Sequence, residues 1–470
     1  MANEIWRDSA HGMAAKIRSG EVSSREVVDA HLARIEEVNP HLNAVVRVLA
    51  EEARAAADIA DQARANGDHL PPLHGVPFTV KENIDVAGTP TTSGIHALAD
   101  AVAPIDGPGV GRLRAAGAIP IGRTNMPDFG LRVHTDSSLH GLTRNPWNPN
   151  VTTAGSSGGE AAAISSGMSP FGLGNDIGGS LRNPAHCCGI ASIKPSVGVV
   201  PAASVIPPLQ SPIAFQLMAV EGVMARHVAD VRFGLETIAS VDSRDPVSLP
   251  VRLSDVPVDR PLRIAIVADP PGGTPTDPGI VAAVQHCADL LSNLGHVVKE
   301  ATPADYERSL TVWAMLLSGD LRTQRPILDM VLGEGGRRFI ELTDEAIPDM
   351  DLAGWSTIHA ERNGIAKAWA SFFTDYDAIL SPVWTQPAFA HGADIVDLAG
   401  AQATLDLMRP TLPPNLLGLP AAVVPAGIFN GMPVGVQIIG DRFHDLACLS
   451  IAAMIEQSVG VLTPIDPVLA

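Results

Sequence analysis

The sequence predicts an α/β fold with a large central sheet. Two observations carry that expectation. Short apolar runs that read as strands alternate with helical runs along nearly the whole chain. The composition is 46% hydrophobic but only 4% aromatic, which suits a core packed from small side chains. The 470 residues would fill roughly three average domains. Large α/β folds keep such a length as one unit, however, and no internal repeat or low-complexity tract divides this one, so a single domain over 1–470 is expected.

The first helix is read from "SSREVVDAHLARIEEVN". Ser23 and Glu26 form a capping box, and Val27, Val28, His31, Leu32, Ile35 and Val38 recur at helical spacing. Asn39 and Pro40 are expected to stop it. "NAVVRV" reads as a strand and "AEEARAAADIADQARAN" as a helix. "GVPFTVKENIDVAG" begins as a buried strand, Val76 to Val80, and turns polar at Lys81. Further strands are expected at "AIPIG", "RIAIVAD", "DAIL", "AAVVPAG" and "PVGVQIIG", with helices near 279–294, 358–373 and 443–457. Residues 302–357 are helical in pattern, and Trp313, Met315, Leu316 and Leu317 cluster there; core packing is the simpler role, a substrate wall the alternative. Two loops rich in Pro and Asp, 241–261 and 268–279, are too short to mark a domain boundary.

Charge and cysteine usage exclude several classes. Lys and Arg number 32 against 51 Asp and Glu, a net charge of −19, which argues against a nucleic-acid surface. Cys187, Cys188, Cys287 and Cys448 show no CxxC spacing, so neither a zinc site nor a disulfide framework is signalled, and Cys187–Cys188 reads as core packing. The N-terminal stretch lacks an apolar signal core and no segment is long enough to span a bilayer, so a cytoplasmic location is expected.

The chemistry concentrates in three places. In "GLGNDIGGSLRNPAHCCG", Gly178 and Gly179 precede Ser180; glycines let successive N–H groups converge, as an oxyanion hole requires. Alone, this is better read as a tight turn. In "TTAGSSGGEAAA", Ser156 and Ser157 sit among glycines before a helix, which alone reads as a glycine-rich cap. Lys81 ends an apolar strand; most lysines are solvated, but one buried in a polar pocket loses its proton near neutral pH and serves as a base.

The three together resemble the amidase signature family of Ser-cisSer-Lys hydrolases. The family's serine-rich block ends in Asp-x-Gly-Gly-Ser-x-Arg-x-Pro, and here Asp176, Gly178, Gly179, Ser180, Arg182 and Pro184 hold those places. Ser156 and Ser180 also stand at the family's spacing. "SGEVSSREVVDAHLARIEEVNPHLNAVV", "GRTNMPDFG", "GLTRNPWNP" and "NLLGLPAAVVPAGIFNGMPVGVQIIG" are similar to family segments, and the likeness is weakest near 240–350.

The resemblance implies the amidase signature fold, a large mixed central β-sheet covered by helices on both faces. Its signature core would span about 75–200 and a variable substrate or lid region about 205–350. It implies Ser180 as nucleophile, Ser156 after a cis peptide as bridge and Lys81 as base. The N–H groups of Ile177, Gly178, Gly179 and Ser180 would form the oxyanion hole. Asp176 and Arg182 would brace the loop, with Arg182 also placed near substrate, and main chain near Gly130 would line the leaving-group side. Ser157 and Asn175 belong to the supporting set. Asn175 stands where many members carry Thr or Ser, and Ala154 replaces a common glycine; Asn175 puts substrate preference in doubt.

The activity implied is hydrolysis of the C–N bond of small amides through an acyl-enzyme, with ester, carbamate or hydrazide turnover as extensions. No metal or organic cofactor is implied, nor a nucleic-acid or membrane partner, and the resemblance suggests a homodimer. Apolar residues at 205–218 and 313–317 point to aryl or alkyl acyl groups. The amidotransferase branch, which usually carries "DTGGS", is not favoured. Two rivals stand. "GSSGG" satisfies a Gly-x-Ser-x-Gly elbow centred on Ser157, but "RNPWNPNVTTA" before it is not an apolar strand, and His134, His140 and His186 are unplaced as its base. The other rival is an inactive binding module on the same fold. "GLGNDIGG" lacks dinucleotide-binding spacing.

Overall fold

The computed structural model describes residues 2–257 and 259–469. Its centre is an eleven-stranded mixed sheet. From edge to edge the strands are Val45–Val48, Ile119–Thr124, Pro77–Lys81, Phe171–Asp176, Val220–Ala225, Ala191–Lys194, Ala421–Phe429, Met432–Gly440, Ala378–Pro382, Arg263–Ile266 and Val297–Glu300. Ile119–Thr124, Pro77–Lys81 and Phe171–Asp176 run parallel, with Lys81 opposite Thr124 and Thr79 opposite Gly172. Antiparallel pairs join this block to the second half of the sheet. The middle strands are buried throughout and the edge strand Val297–Glu300 is mostly exposed, so hydrophobic runs mark the centre and polar residues the rim.

Two large apolar clusters fill the space beneath the helices. One gathers Phe78, Val80, Leu173, Val223, Leu235 and Ile438. The other gathers Leu181, Ala185, Trp313, Leu316, Trp369 and Trp384. No described helix is long and apolar enough to cross a membrane. All four cysteines are buried as free thiols, and burial pushes those of Cys187 and Cys188 up, out of reach of ordinary thiolate chemistry.

The capping box forms as expected: the Ser23 N–H donates to Glu26 Oε2 at 2.7 Å and the Glu26 N–H to Ser23 Oγ at 3.0 Å. The helix end does not follow the sequence reading. Helix Ser24–Leu42 carries Pro40 in its last turn and stops at Asn43, in the left-handed region at φ 54°. Asn39 Oδ1 gathers the N–H groups of Ala44 and Val45 at 2.8 and 2.9 Å, so the stop comes from these caps rather than from proline. Strands Ala191–Lys194, Val220–Ala225 and Val297–Glu300 and helix Val228–Ile238 add to the elements read from sequence.

Candidate active site

The site lies at the C-terminal ends of the three parallel strands, where open α/β sheets commonly place chemistry. Lys81 ends one strand and Asp176 the next. Behind Asp176 the chain turns through 177–181 into helix Arg182–Cys188. Ser156 and Ser157 occupy the turn before helix Gly158–Ser165, which packs across the same strands.

Lys81 is fully buried. Its Nζ donates to Ser156 Oγ at 2.7 Å and to Asn175 Oδ1 at 2.6 Å. Burial pushes the amine down to about 7, against the opposing pull of Asp176 and Glu160. A lysine so placed exchanges its proton at neutral pH. The Gly155–Ser156 peptide is cis, and Ala154 before it sits at φ 62°, a backbone region that a glycine occupies without its Cβ penalty. Gly130, at φ 70°, abuts Ser156: a Cβ there would stand 3.1 Å from Ser156 Oγ.

Ser180 is linked to this pair through main chain. The Ser157 N–H donates to the Ser180 carbonyl at 3.3 Å, tying the two serine turns together one residue from Ser156. Ser180 keeps 8% exposure, whereas Ser157 is fully buried and its Oγ donates to the Asn175 carbonyl at 3.4 Å.

The glycine turn before Ser180 is braced from behind. Asp176 Oδ1 accepts from the Gly179 N–H at 2.7 Å and Oδ2 from the Leu181 N–H at 3.1 Å. Arg182 Nε and Nη2 reach the two carboxylate oxygens at 3.0 Å each, and its remaining donors meet Gln437 and Asn415. Burial would raise the Asp176 carboxyl, but Arg182, with Lys194 and the Gly179 N–H, together outweigh it and hold the group down at about 2. Arg182 is itself fully buried, so the expectation that it also meets substrate is dropped.

The Asp176–Gly179 bond also narrows the expected oxyanion set. The Gly179 N–H is committed to Asp176, while those of Ile177, Gly178 and Ser180 have no protein acceptor among the described residues.

Two features escaped the sequence reading. Glu160 is buried under the site; the hydroxyls of Thr79 and Thr124 donate to its two oxygens, the latter at 2.7 Å. Burial raises its carboxyl to about 7. A Glu in "GSSGGEAAA" reads as an ordinary helix-start acid, and only the threonines on neighbouring strands give it a task. The other is the direct Asn175–Lys81 bond, which needs the register of two parallel strands to be known.

The histidines named for the Ser157 elbow are engaged elsewhere. His134 Nδ1 pairs with Thr152 Oγ1 at 2.8 Å, His186 Nδ1 accepts from the Gly435 N–H at 3.0 Å, and His140 lies 3.5 Å from Glu82. The segment before "GSSGG" is loop, as read from sequence.

A mixed eleven-stranded sheet, carrying a buried lysine hydrogen-bonded to one serine, with a second serine at 8% exposure on a neighbouring glycine turn, fits an amidohydrolase-type site. The chain belongs to the amidase family, whose profile matches residues 26–449, and it is an amidase acting on C–N bonds. It is 41% identical to an indoleacetamide hydrolase of Bradyrhizobium diazoefficiens, over 97% of this chain and 88% of that one. An acylamidase of Rhodococcus erythropolis is 34% identical over 95% of this chain and 94% of its own. A solved bacterial aryl acylamidase of the amidase signature family superposes with a TM-score of 0.82 at 28% identity, covering 96% of each chain.

Proposed function

We propose that this amidase hydrolyses small neutral amides with an aryl or alkyl acyl group, arylacetamides foremost, through an acyl-enzyme on Ser180. The observation that carries the reading is the fully buried Lys81, with its amine at about 7 and its Nζ 2.7 Å from Ser156 Oγ. That lysine has no structural use for a lost charge, whereas a base needs it.

In this reading, neutral Lys81 takes the Ser156 proton as Ser156 takes that of Ser180. The Ser180 oxygen attacks the acyl carbon, and the carbonyl electrons move onto oxygen. The N–H groups of Ile177, Gly178 and Ser180 receive that oxyanion, Gly179 being held by Asp176. As the C–N bond breaks, Ser156 passes a proton to the leaving amine and is resupplied by Lys81. Water, deprotonated along the same path, then attacks the acyl-enzyme and releases the acid. Esters, carbamates and hydrazides present the same acyl carbonyl and form the secondary substrate set.

The acyl preference draws on two kinds of support. Two arginines beside the loop are already paired, Arg182 with Asp176 and Arg132 with Asp394 at 2.8 and 2.9 Å, so neither awaits a substrate carboxylate. Apolar Ile177, Trp313 and Met408 cluster beside the glycine turn. The 41% identity to an indoleacetamide hydrolase agrees with such a substrate. Four buried free thiols suit a reducing compartment, so we place the enzyme in the cytoplasm.

The test is a panel of indole-3-acetamide, phenylacetamide, hexanamide, glutamine and malonamic acid, assayed for ammonia release. The neutral aryl and alkyl amides are expected to lead the carboxylated ones by at least about tenfold in kcat/KM. Carboxylated amides leading by that margin would overturn the acyl preference.

A further inference from the structure

Trp313 comes from helix Tyr306–Val331, 136 residues from Ile177 in sequence, in the stretch where family likeness is weakest. Even so, its indole Nε1 donates to the Ile177 carbonyl at 2.8 Å. Its ring also covers the glycine turn: a Cβ built on Gly178 would stand 2.6 Å from Trp313 Cζ2, with Met408 Cε at 3.4 Å on the same side.

The direction of that hydrogen bond matters. A trans peptide is planar, with C=O and N–H pointing opposite ways. Fixing the Ile177 carbonyl on Trp313 therefore fixes the Gly178 N–H away from Trp313. The following peptide is held in the same fashion. The Gly178 carbonyl accepts from Thr411 Oγ1 at 3.2 Å and Asn183 Nδ2 at 3.3 Å, while the Gly179 N–H on its far side meets Asp176 Oδ1 at 2.7 Å. Both peptides of the turn are thus oriented by contacts on their carbonyl sides. One of them leaves its N–H committed to Asp176, and the other leaves its N–H free among the described residues. The free one belongs to Gly178.

We infer that Trp313 is a positioning residue for the hydrolytic reaction: its indole N–H orients the Ile177–Gly178 peptide so that the Gly178 N–H meets the developing oxyanion, while its ring walls the turn. This rests on Ser180 acting as nucleophile. It also gives the variable region a role in catalytic rate. A packing role alone would use the ring, which contacts the cluster of Leu316, Met408 and Leu412, and would be indifferent to the N–H.

The experiment separates ring from N–H. Trp313 is replaced by β-(3-benzothienyl)alanine, which keeps the bicyclic shape and lacks the donor, and in parallel by Phe. For the best amide of the panel, kcat and KM are measured, together with the Ki of 2-phenylethylboronic acid, which forms a tetrahedral adduct on serine. In the isosteric variant kcat is expected to fall about tenfold to a hundredfold, KM to stay within about threefold, and the boronate Ki to weaken in step with kcat. An isosteric variant with kcat within about twofold of wild type and unchanged boronate affinity overturns the inference, as does a change confined to KM. If Trp313→Phe fails to fold, the isostere decides. Ser180→Ala is run alongside: turnover retained there overturns the nucleophile reading itself, whereas turnover lost there and retained in the isostere overturns the role of Trp313 alone.

Discussion

The Lys81 amine donates to Asn175 Oδ1 at 2.6 Å, across two adjacent parallel strands. A neutral amine has two N–H donors and one lone pair. With one N–H held by Asn175, the neutral amine accepts at its lone pair from the Ser156 hydroxyl across the same 2.7 Å that the protonated amine spans as a donor. Asn175 thus does more than line the back of the nucleophile loop; it orients the proposed base.

Asn175→Asp should move the acid limb of the pH–rate profile upward. A carboxylate within hydrogen-bond reach favours the ammonium form, so the limb is expected to rise by about one unit or more, with rate recovered at higher pH. A kcat/KM profile between pH 5 and 10 reads this directly. An acid limb that stays where it is in wild type would separate Asn175 from the base.

For the wild-type enzyme the limb itself should lie near neutrality. Burial holds Lys81 at about 7, so below that pH the amine carries its proton and is no base. Activity should rise with pH through 7 and fall about tenfold for each unit below it. Full activity at pH 5 would remove lysine from the role.

Lys81→Met should abolish turnover without unfolding the protein. The Lys81 amine lies at 10.5 ordinarily and about 7 when folded, so between those values the unfolded chain binds the proton more tightly. The buried lysine therefore lowers stability at neutral pH, and the deficit shrinks as pH rises toward 10.5. Removing the amine lifts that deficit and offsets about 1 kcal/mol for each hydrogen bond lost at Ser156 and Asn175. Urea unfolding at pH 7 is expected to show stability no lower than wild type, with kcat down at least about a thousandfold. A loss exceeding about 2 kcal/mol would contradict the account.

Arg182→Met should behave in the opposite way. It strands the buried Asp176 carboxylate, which relies on Arg182 to stay ionised. The expected cost is about 3–5 kcal/mol in unfolding free energy, with activity lost as the oxyanion loop loosens. A shift below about 1 kcal/mol would show that the brace is dispensable.

Ser157→Ala should keep most activity. The hydroxyl is buried and makes one long contact of 3.4 Å to the Asn175 carbonyl, so its loss is worth about 1 kcal/mol of stability and less than about tenfold in kcat. Inactivity of a folded Ser157→Ala enzyme would revive the nucleophile elbow.

Much of this molecule was legible in its sequence because periodicity and short motifs carry it. The capping box at Ser23 and Glu26, the strand ending at Lys81 and the long C-terminal strands all follow from local pattern. What stayed hidden depends on neighbours distant in sequence. "ASIK" and "VEGVMA" become strands by pairing with each other and with Ala421–Phe429 and Phe171–Asp176 respectively, although a Glu and a Gly interrupt the second. Pro40 reads as a stop, yet proline is tolerated in a last turn once Asn39 and Asn43 supply the caps. In the candidate site, the resemblance named Lys81, Ser156 and Ser180, and the structure brings Lys81 and Ser156 into hydrogen-bond contact. The tasks of Asn175, Glu160 and Trp313 come from strand register and from a helix over a hundred residues downstream of Ser180, which no local motif encodes.

The central claim is that Ser180 is the nucleophile. The direct measurement is labelling with a fluorophosphonate, followed by peptide mass spectrometry to locate the adduct. The adduct is expected on Ser180, absent from Ser180→Ala and slowed in Lys81→Ala. An adduct on Ser157, or an unlabelled Ser180 in enzyme that turns over amides, would contradict it.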